Sequence, residues 1–167
     1  MLEEIKNIIR ELDTSRAAMH AAMAITNQTS EIYPGWTLKQ LLAHITGWDE
    51  AARTSIEAHM RYDEAMIPAF RGVNEYNEES VRTRGALSYD LVLREYEHER
   101  ERLKALLGQI TDDRWNEKML LPWGGYGQPL NLVRVWQRHE LDHANELEEL
   151  AARKGIIVSA WTQPTAE

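Results

Sequence analysis

Two histidines one helical turn apart are the residues of this sequence best placed to do chemistry. His139 and His143 lie in a segment where apolar residues recur at the spacing of a buried helical stripe. Because residues at i and i+4 share one face of a helix, both imidazoles should point inward, where they can converge on one metal ion. A single inward histidine is more often a hydrogen-bonded core residue, and the pair alone leaves both roles open.

A third histidine occurs much earlier in the chain. His44 lies in the segment W-T-L-K-Q-L-L-A-H-I-T-G-W, residues 36–48, which predicts a loop followed by a helix with His44 on its inner face. Three histidines from two helices would leave one coordination position of a bound ion free for water or substrate. Imidazoles suit zinc, nickel, iron(II) and copper, and of these we expect zinc or nickel.

Together the two segments resemble the DinB-like superfamily of four-helix-bundle metalloenzymes. The resemblance rests on the W-T-L-K-Q-L-L-A-H-x3-W block, the later H-x3-H and their separation, and it extends to about residue 150. The segment N-E-Y-N, residues 74–77, is also similar to the N-E-x-N segment between the second and third helices of many members, including the mycothiol-dependent isomerase branch. Its asparagines are expected to brace the crossover or to touch substrate. The resemblance implies that His44, His139 and His143 bind a divalent ion.

The resemblance also implies a reaction class. Members with known activities are thiol-dependent transferases and isomerases that use mycothiol, bacillithiol or glutathione, and a related branch includes a hydrolase. We therefore expect an enzyme whose ion activates a thiol or water for attack on a small electrophile. The chain contains no cysteine, so a thiol would have to be a low-molecular-weight cofactor or substrate. A metal-dependent small-molecule hydrolase and a non-catalytic bundle that binds metal or ligand stay open as alternatives.

Residues 139–143 also satisfy the H-E-x-x-H pattern of zinc peptidases, in which the glutamate activates the water on the metal. The chain after His143 offers glutamates but no third histidine, and it leaves little sequence for a peptide-binding sheet, so we reject the peptidase. Glu140 remains the candidate catalytic residue, with a surface or interhelical salt bridge as its alternative role. Asp49 and Asp142 are weaker candidates for orienting a metal-bound imidazole.

Candidate substrate-binding residues come from two apolar segments. Trp123 and Tyr126 belong to a loop rich in glycine and aromatic residues, 121–129, which directly precedes the helix with the histidine pair. Met19 and Met23 lie in the methionine-rich second half of the first helix. Methionines there are more often plain core, but their flexible thioethers also suit a variable pocket wall. We expect these four side chains to form the wall that accepts the electrophile.

The elements that must position these residues are all helical. Apolar periodicity predicts a four-helix bundle with a long crossover between the second and third helices. The expected bundle helices span about residues 2–29, 38–63, 89–107 and 131–154. A short helix is expected at 77–84 in the crossover, and a further turn at 111–115. Residues 1–158 should form a single domain, followed by a mobile C-terminal tail at 159–167.

Charge and composition exclude several classes of partner. The 167-residue chain has a formal net charge of −8, which disfavours nucleic acid because phosphate recognition needs a basic surface. No segment is long and apolar enough to span a membrane, and the N-terminus lacks the pattern of a signal peptide. We therefore expect a cytoplasmic protein that acts on a small molecule. The resemblance and the six tryptophans favour a homodimer, because aromatic residues are enriched at interfaces.

Overall fold

A computed structural model describes residues 2–63 and 65–153 of the protein. Within these ranges the chain forms helices and one small antiparallel hairpin. The elements in order are α1 (Leu2–Ala24), α2 (Leu38–Arg61), α3 (Val73–Thr83), α4 (Tyr89–Leu107), α5 (Asp112–Asn116), β1 (Met119–Leu120), β2 (Tyr126–Gly127) and α6 (Pro129–Arg153). In the hairpin Met119 pairs with Gly127, and Leu120 pairs with Tyr126.

The long helices α1, α2, α4 and α6 form the predicted bundle. Helix α1 packs mainly against α6, and α2 packs mainly against α4. The connection from α2 to α4 is the expected long crossover, and its helix α3 lies against α2. The structure therefore confirms the all-α four-helix-bundle prediction. None of the helices in the described part of the chain is both long and apolar enough to cross a membrane.

Local hydrogen bonds explain where the helices begin and end. At the start of α2 the backbone N–H of Thr37 donates to Gln40 Oε1 at 3.0 Å, as in a capping box. The Ser88 hydroxyl accepts from the backbone N–H of Leu91, which caps α4 as predicted. Helix α1 ends at Ala24 rather than near residue 29, because Asn27 closes a polar turn by accepting from the backbone N–H of Thr29.

Other boundaries also differ from the prediction. The crossover helix starts earlier than expected, at Val73 instead of residue 77. The two-residue strands were not predicted, since strands this short carry no periodicity of their own. The predicted domain boundary at 158 and the tail at 159–167 lie outside the described residues.

Two apolar clusters fill the bundle. One contains Trp48, Trp136 and the aliphatic side chains around them. The other contains Met19 and Tyr96 among its members. All of these side chains are at most 5% exposed, so each cluster excludes water.

A buried ionic network joins the bundle helices. Arg100 of α4 donates through two nitrogens to both carboxylate oxygens of Asp49 in α2, at 3.1 Å each, and through Nη1 to Glu140 of α6 at 2.7 Å. Arg16 of α1 donates to Glu140 at 2.8 Å and to Asp49 at 3.3 Å. The Ser15 hydroxyl also donates to Glu140, at 2.7 Å.

Burial disfavours the charged form of Glu140, but the Arg100 and Arg16 guanidiniums, helped by hydrogen bonds, hold its pKa below the ordinary value. The two arginines therefore supply the positive charge that this buried carboxylate requires.

Removing one cation from this network should destabilise the fold. In Arg100→Met, Asp49 and Glu140 stay buried and lose one of the two arginines that they share, so we expect a loss of about 3–5 kcal/mol in the free energy of unfolding. Denaturant titration followed by circular dichroism measures the change. The matched control is Arg102→Met, whose side chain is 46% exposed and should contribute at most about 1 kcal/mol. Equal losses in the two variants would contradict the structural role of the network.

Candidate metal centre

The structure brings the three predicted histidines together. His44 of α2 and His139 of α6 place their Nε2 atoms 3.0 Å apart, and the Nε2 atoms of His139 and His143 are 3.1 Å apart. One ring nitrogen from each residue lies within 4.8 Å of the others. His44 is 5% exposed and the other two are partly exposed, so the cluster sits at the edge of the core.

Burial keeps the imidazoles of His44 and His139 uncharged. Desolvation, reinforced by the charges of the neighbouring imidazoles, lowers the pKa of His44 to about 3. Desolvation and the charge of His143 likewise lower the pKa of His139 to about 4. At neutral pH both rings therefore carry a free nitrogen lone pair, which is the state that a metal ion requires.

Two of the nitrogen separations in the cluster fit one divalent ion. Two imidazoles bound to the same tetrahedral zinc ion at about 2.0–2.1 Å have their nitrogens about 3.3 Å apart. The observed separations of 3.0 and 3.1 Å are within a few tenths of an ångström of that value. Three imidazole donors without a thiolate are suitable for zinc or nickel. A tetrahedral ion held by His44, His139 and His143 would keep a fourth position for another ligand.

A carboxylate orients one of the rings. His143 Nδ1 lies 2.9 Å from Glu146 Oε2, and the Tyr33 hydroxyl also donates to that oxygen. Because Nδ1 can then donate its proton to Glu146, the lone pair of His143 stays on Nε2, where the cluster converges. Burial raises the pKa of Glu146, but the hydrogen bonds from Tyr33 and His143 outweigh it and hold the pKa below the ordinary value.

Sequence reasoning did not single out Glu146 or Tyr33 for this position. Glu146 could have been found, because it follows His143 by three residues and so lies on the same helical face. Tyr33 could not, because it lies in the irregular segment between α1 and α2. The His44 ring has a buried Nδ1 with no hydrogen-bond partner among the described residues, and its centroid lies 5.3 Å from that of the Trp36 ring.

The structure does not bring Glu140 to the histidine nitrogens. Its carboxylate is completely buried and accepts hydrogen bonds from Ser15, Arg16, Tyr96 and Arg100. These contacts correspond to the interhelical salt bridge, which was the alternative to a catalytic role. Asp49 belongs to the same network, and Asp142 is exposed, so the ring-orienting role proposed for these residues is taken by Glu146 instead.

A cavity of about 660 Å³ adjoins the histidines. Trp123 lies in its wall, as predicted, at the edge of the loop before α6. The other lining residues are Tyr33, Pro34, Trp36, Trp48, Val73, Asn77, Val135 and Trp136, together with the three histidines. The volume is in the range of natural small-molecule sites.

The other predicted wall residues lie elsewhere. Met19 is completely buried in a core cluster, and Met23 packs against the same cluster, so neither methionine borders the cavity. Tyr126 is 72% exposed on the hairpin and is also outside the wall. Two tryptophans that were not proposed take their place. Trp48 follows His44 by four residues and Trp136 precedes His139 by three, so helical spacing could have identified both.

The crossover helix completes the wall by resting on α2. The Trp48 and Trp136 rings stack with centroids 4.7 Å apart, and Trp48 Nε1 donates to Asn77 Oδ1 of α3 at 2.8 Å. This contact is the bracing role that was expected for the asparagines. The close approach of α3 depends on Gly47, where a Cβ would meet Ser80 Oγ at 2.3 Å.

One family profile matches most of the chain. Residues 7–148 match the family described as the mycothiol maleylpyruvate isomerase N-terminal domain. The chain belongs to this family. The matched span includes the three clustered histidines, and membership confirms the predicted relationship to the DinB-like superfamily. No curated protein sequence matches the chain.

Solved structures share the fold of this family member at low sequence identity. The mycothiol-dependent maleylpyruvate isomerase matches with a TM-score of 0.73 and 17% identity over 86% of this chain, and the chain spans about 60% of that enzyme's length. YfiT from Bacillus subtilis, described as a probable metal-dependent hydrolase with an unusual four-helix bundle topology, matches with a TM-score of 0.71 and 18% identity, over 93% of this chain and 90% of its own. An uncharacterised protein from Escherichia coli UTI89 matches with a TM-score of 0.74 and 14% identity, over 92% of this chain and 96% of its own.

The histidine cluster should bind one divalent ion per chain. In His139→Ala the ligand that contacts both other imidazoles is lost, so we expect elemental analysis to find little metal in the dialysed variant. The matched control is His98→Ala, an exposed histidine of α4 that should leave the metal content unchanged. Chelation should also lower the stability of the wild type, by about 2.7 kcal/mol if the ion was present at a hundred times its dissociation constant. Equal metal content in both variants would refute the site.

Glu146 should contribute to metal affinity without touching the ion. In Glu146→Ala, His143 loses the acceptor that holds its proton on Nδ1, and we expect metal affinity to fall by roughly 10- to 100-fold. Competition with a chromogenic chelator measures the affinity. Glu149→Ala is the control, because Glu149 is exposed on the same helix and, among the described residues, forms a salt bridge only with Arg153. An affinity unchanged from wild type in Glu146→Ala would show that packing alone orients the ring.

Proposed function

We propose that the protein is a metal-dependent enzyme that promotes attack of a thiol or water on a small electrophilic molecule. The observation that carries this proposal is the convergence of His44, His139 and His143 beside an aromatic cavity of about 660 Å³. A site that only stabilised the fold would have no need of an adjoining cavity. The histidines would hold zinc or nickel, and the cavity would hold the electrophile.

Each part of the site has a separate task in this proposal. A divalent ion supplies Lewis acidity, which stabilises a negatively charged nucleophile at neutral pH. Glu146 holds the proton of His143 on Nδ1 and thereby keeps Nε2 available. Trp48 and Trp136 form an apolar wall beside the histidines, and a substrate bound against this wall would displace water and strengthen electrostatic interactions there.

A low-molecular-weight thiol is the nucleophile that we favour. The family takes its description from a mycothiol-dependent isomerase, and the chain has no cysteine of its own to donate. A metal-dependent hydrolase is the second candidate. It is favoured by the nearly full-length match to YfiT, whereas the chain spans only about 60% of the isomerase. A small-molecule substrate and a homodimer belong to the same proposal.

Thiol dependence distinguishes the two reactions. Metal-loaded protein is incubated with electrophilic substrates in the presence and absence of mycothiol, bacillithiol or glutathione, and product formation is measured. We expect turnover to require both metal and thiol and to fall to the uncatalysed rate in His44→Ala, whereas His98→Ala should behave as wild type. Turnover that needs metal but no thiol would identify the hydrolase. Turnover that survives both chelation and His44→Ala would overturn the metal-dependent mechanism, and inert metal-loaded protein would indicate a binding module.

A further inference from the structure

The cavity wall consists mainly of uncharged side chains. Apart from the three histidines, the lining side chains are aromatic or aliphatic, with Asn77 as the exception. No lysine, arginine, aspartate or glutamate belongs to the wall among the residues that the structure describes. A charged group placed away from the histidines would therefore meet no counter-charge in the wall, and any hydration that it lost there would not be replaced.

Asn77 is the wall residue with a side-chain amide. An indole N–H can only donate, so the contact from Trp48 Nε1 identifies the facing atom of Asn77 as its carbonyl oxygen. The amide nitrogen must then face away from Trp48. No described residue accepts a hydrogen bond from this Nδ2, and it is not among the buried polar atoms that lack a partner, so it remains accessible.

Two other polar atoms of the wall are less available. Trp136 Nε1 is buried and has no partner, but it is shielded from solvent and would need to move before it met a ligand. The Tyr33 hydroxyl already donates to Glu146. The indole N–H groups of Trp36 and Trp123 also have no partner among the described residues. Asn77 Nδ2 is the amide donor of the wall, and a variant of Asn77 distinguishes it from these indoles.

We propose that the site selects a substrate with an uncharged, apolar or aromatic body that carries one neutral hydrogen-bond acceptor, such as a carbonyl oxygen, bound by Asn77 Nδ2. This inference deepens the function proposed above and rests on it. It assigns Asn77 a part in specificity in addition to its contact with Trp48. It also separates the substrate from a dicarboxylate such as maleylpyruvate, because a second carboxylate would meet no cation in the wall.

Three unreactive probes of nearly the same shape test the inference. Acetophenone presents a carbonyl oxygen, α-methylstyrene replaces that oxygen with a methylene group, and benzoate replaces the methyl ketone with a carboxylate. Each probe is titrated into full-length ¹⁵N-labelled protein and followed by the indole N–H signals in NMR spectra. Trp36, Trp48, Trp123 and Trp136 line the cavity, whereas Trp115 lies outside it and serves as an internal control.

The titrations are carried out on the protein as purified and after chelation, because a bound ion could hold a carboxylate by itself. We expect acetophenone to shift the indole signals of the cavity tryptophans and to leave that of Trp115 unchanged. It should bind roughly three- to ten-fold more tightly than α-methylstyrene, the ratio that one neutral hydrogen bond supplies. Benzoate should bind at least as weakly as α-methylstyrene to the chelated protein.

A variant of Asn77 isolates the donor. Asn77→Asp keeps an oxygen that accepts from Trp48 but removes the N–H, so acetophenone should lose its advantage over α-methylstyrene. Asn74→Asp is the matched control, because Asn74 is exposed on the same helix, and it should behave as wild type. The wild-type comparison of the probes stands even if Asn77→Asp fails to fold.

Several results would overturn the inference. One is equal affinity of the wild type for acetophenone and α-methylstyrene, and another is tighter binding of benzoate than of α-methylstyrene to the chelated protein. An acetophenone preference that persists in Asn77→Asp, or signal shifts confined to Trp115, would also contradict it. Because the probes do not react, absence of turnover would leave a positive binding result intact. Failure of the probe preference would overturn the inference even if metal-dependent turnover were found.

Discussion

The buried carboxylate of Glu140 is the constraint on which the arrangement of the bundle depends. It accepts hydrogen bonds from side chains of α1 and α4 while lying on α6, and through Arg100 it is linked to Asp49 of α2. A buried carboxylate tolerates few displacements of its partners, because each lost hydrogen bond exposes its charge to an apolar interior. The network therefore sets the relative positions of the helices that carry the histidines. His139 directly precedes Glu140, and His44 precedes Asp49 by five residues.

The same constraint explains why the H-E-x-x-H pattern serves a different purpose here from its role in peptidases. Consecutive helical residues project about 100° apart, so His139 and Glu140 face different surroundings. His139 faces α2 and the cavity, whereas Glu140 faces the arginines of α1 and α4. The glutamate supports the site by holding α6 in place, and the ring-orienting carboxylate is Glu146, one turn beyond the histidine pair.

The crossover contributes to the site as well as to the topology. Helix α3 approaches α2 closely at Gly47, and this approach brings Asn77 to the indole of Trp48. Trp48 in turn stacks on Trp136, which packs against the ring of His139 at 5.4 Å. A continuous set of packed rings thus connects the crossover to the histidine cluster. Two of the rings in the wall beside the cluster, those of Trp48 and Trp136, are also part of the bundle core.

Sequence alone determined the features that depend on local periodicity and capping. Helical spacing placed His44, His139 and His143 on inward faces, and capping by Ser88 set the start of α4. Only the tertiary structure decided which partners those faces meet. Met19 was drawn into the core and Tyr126 was left exposed, because the position of a side chain relative to a cavity depends on elements far away in the chain. Tyr33, Asn77 and Trp123 reach the site from three separate connections, and no local pattern encodes their convergence.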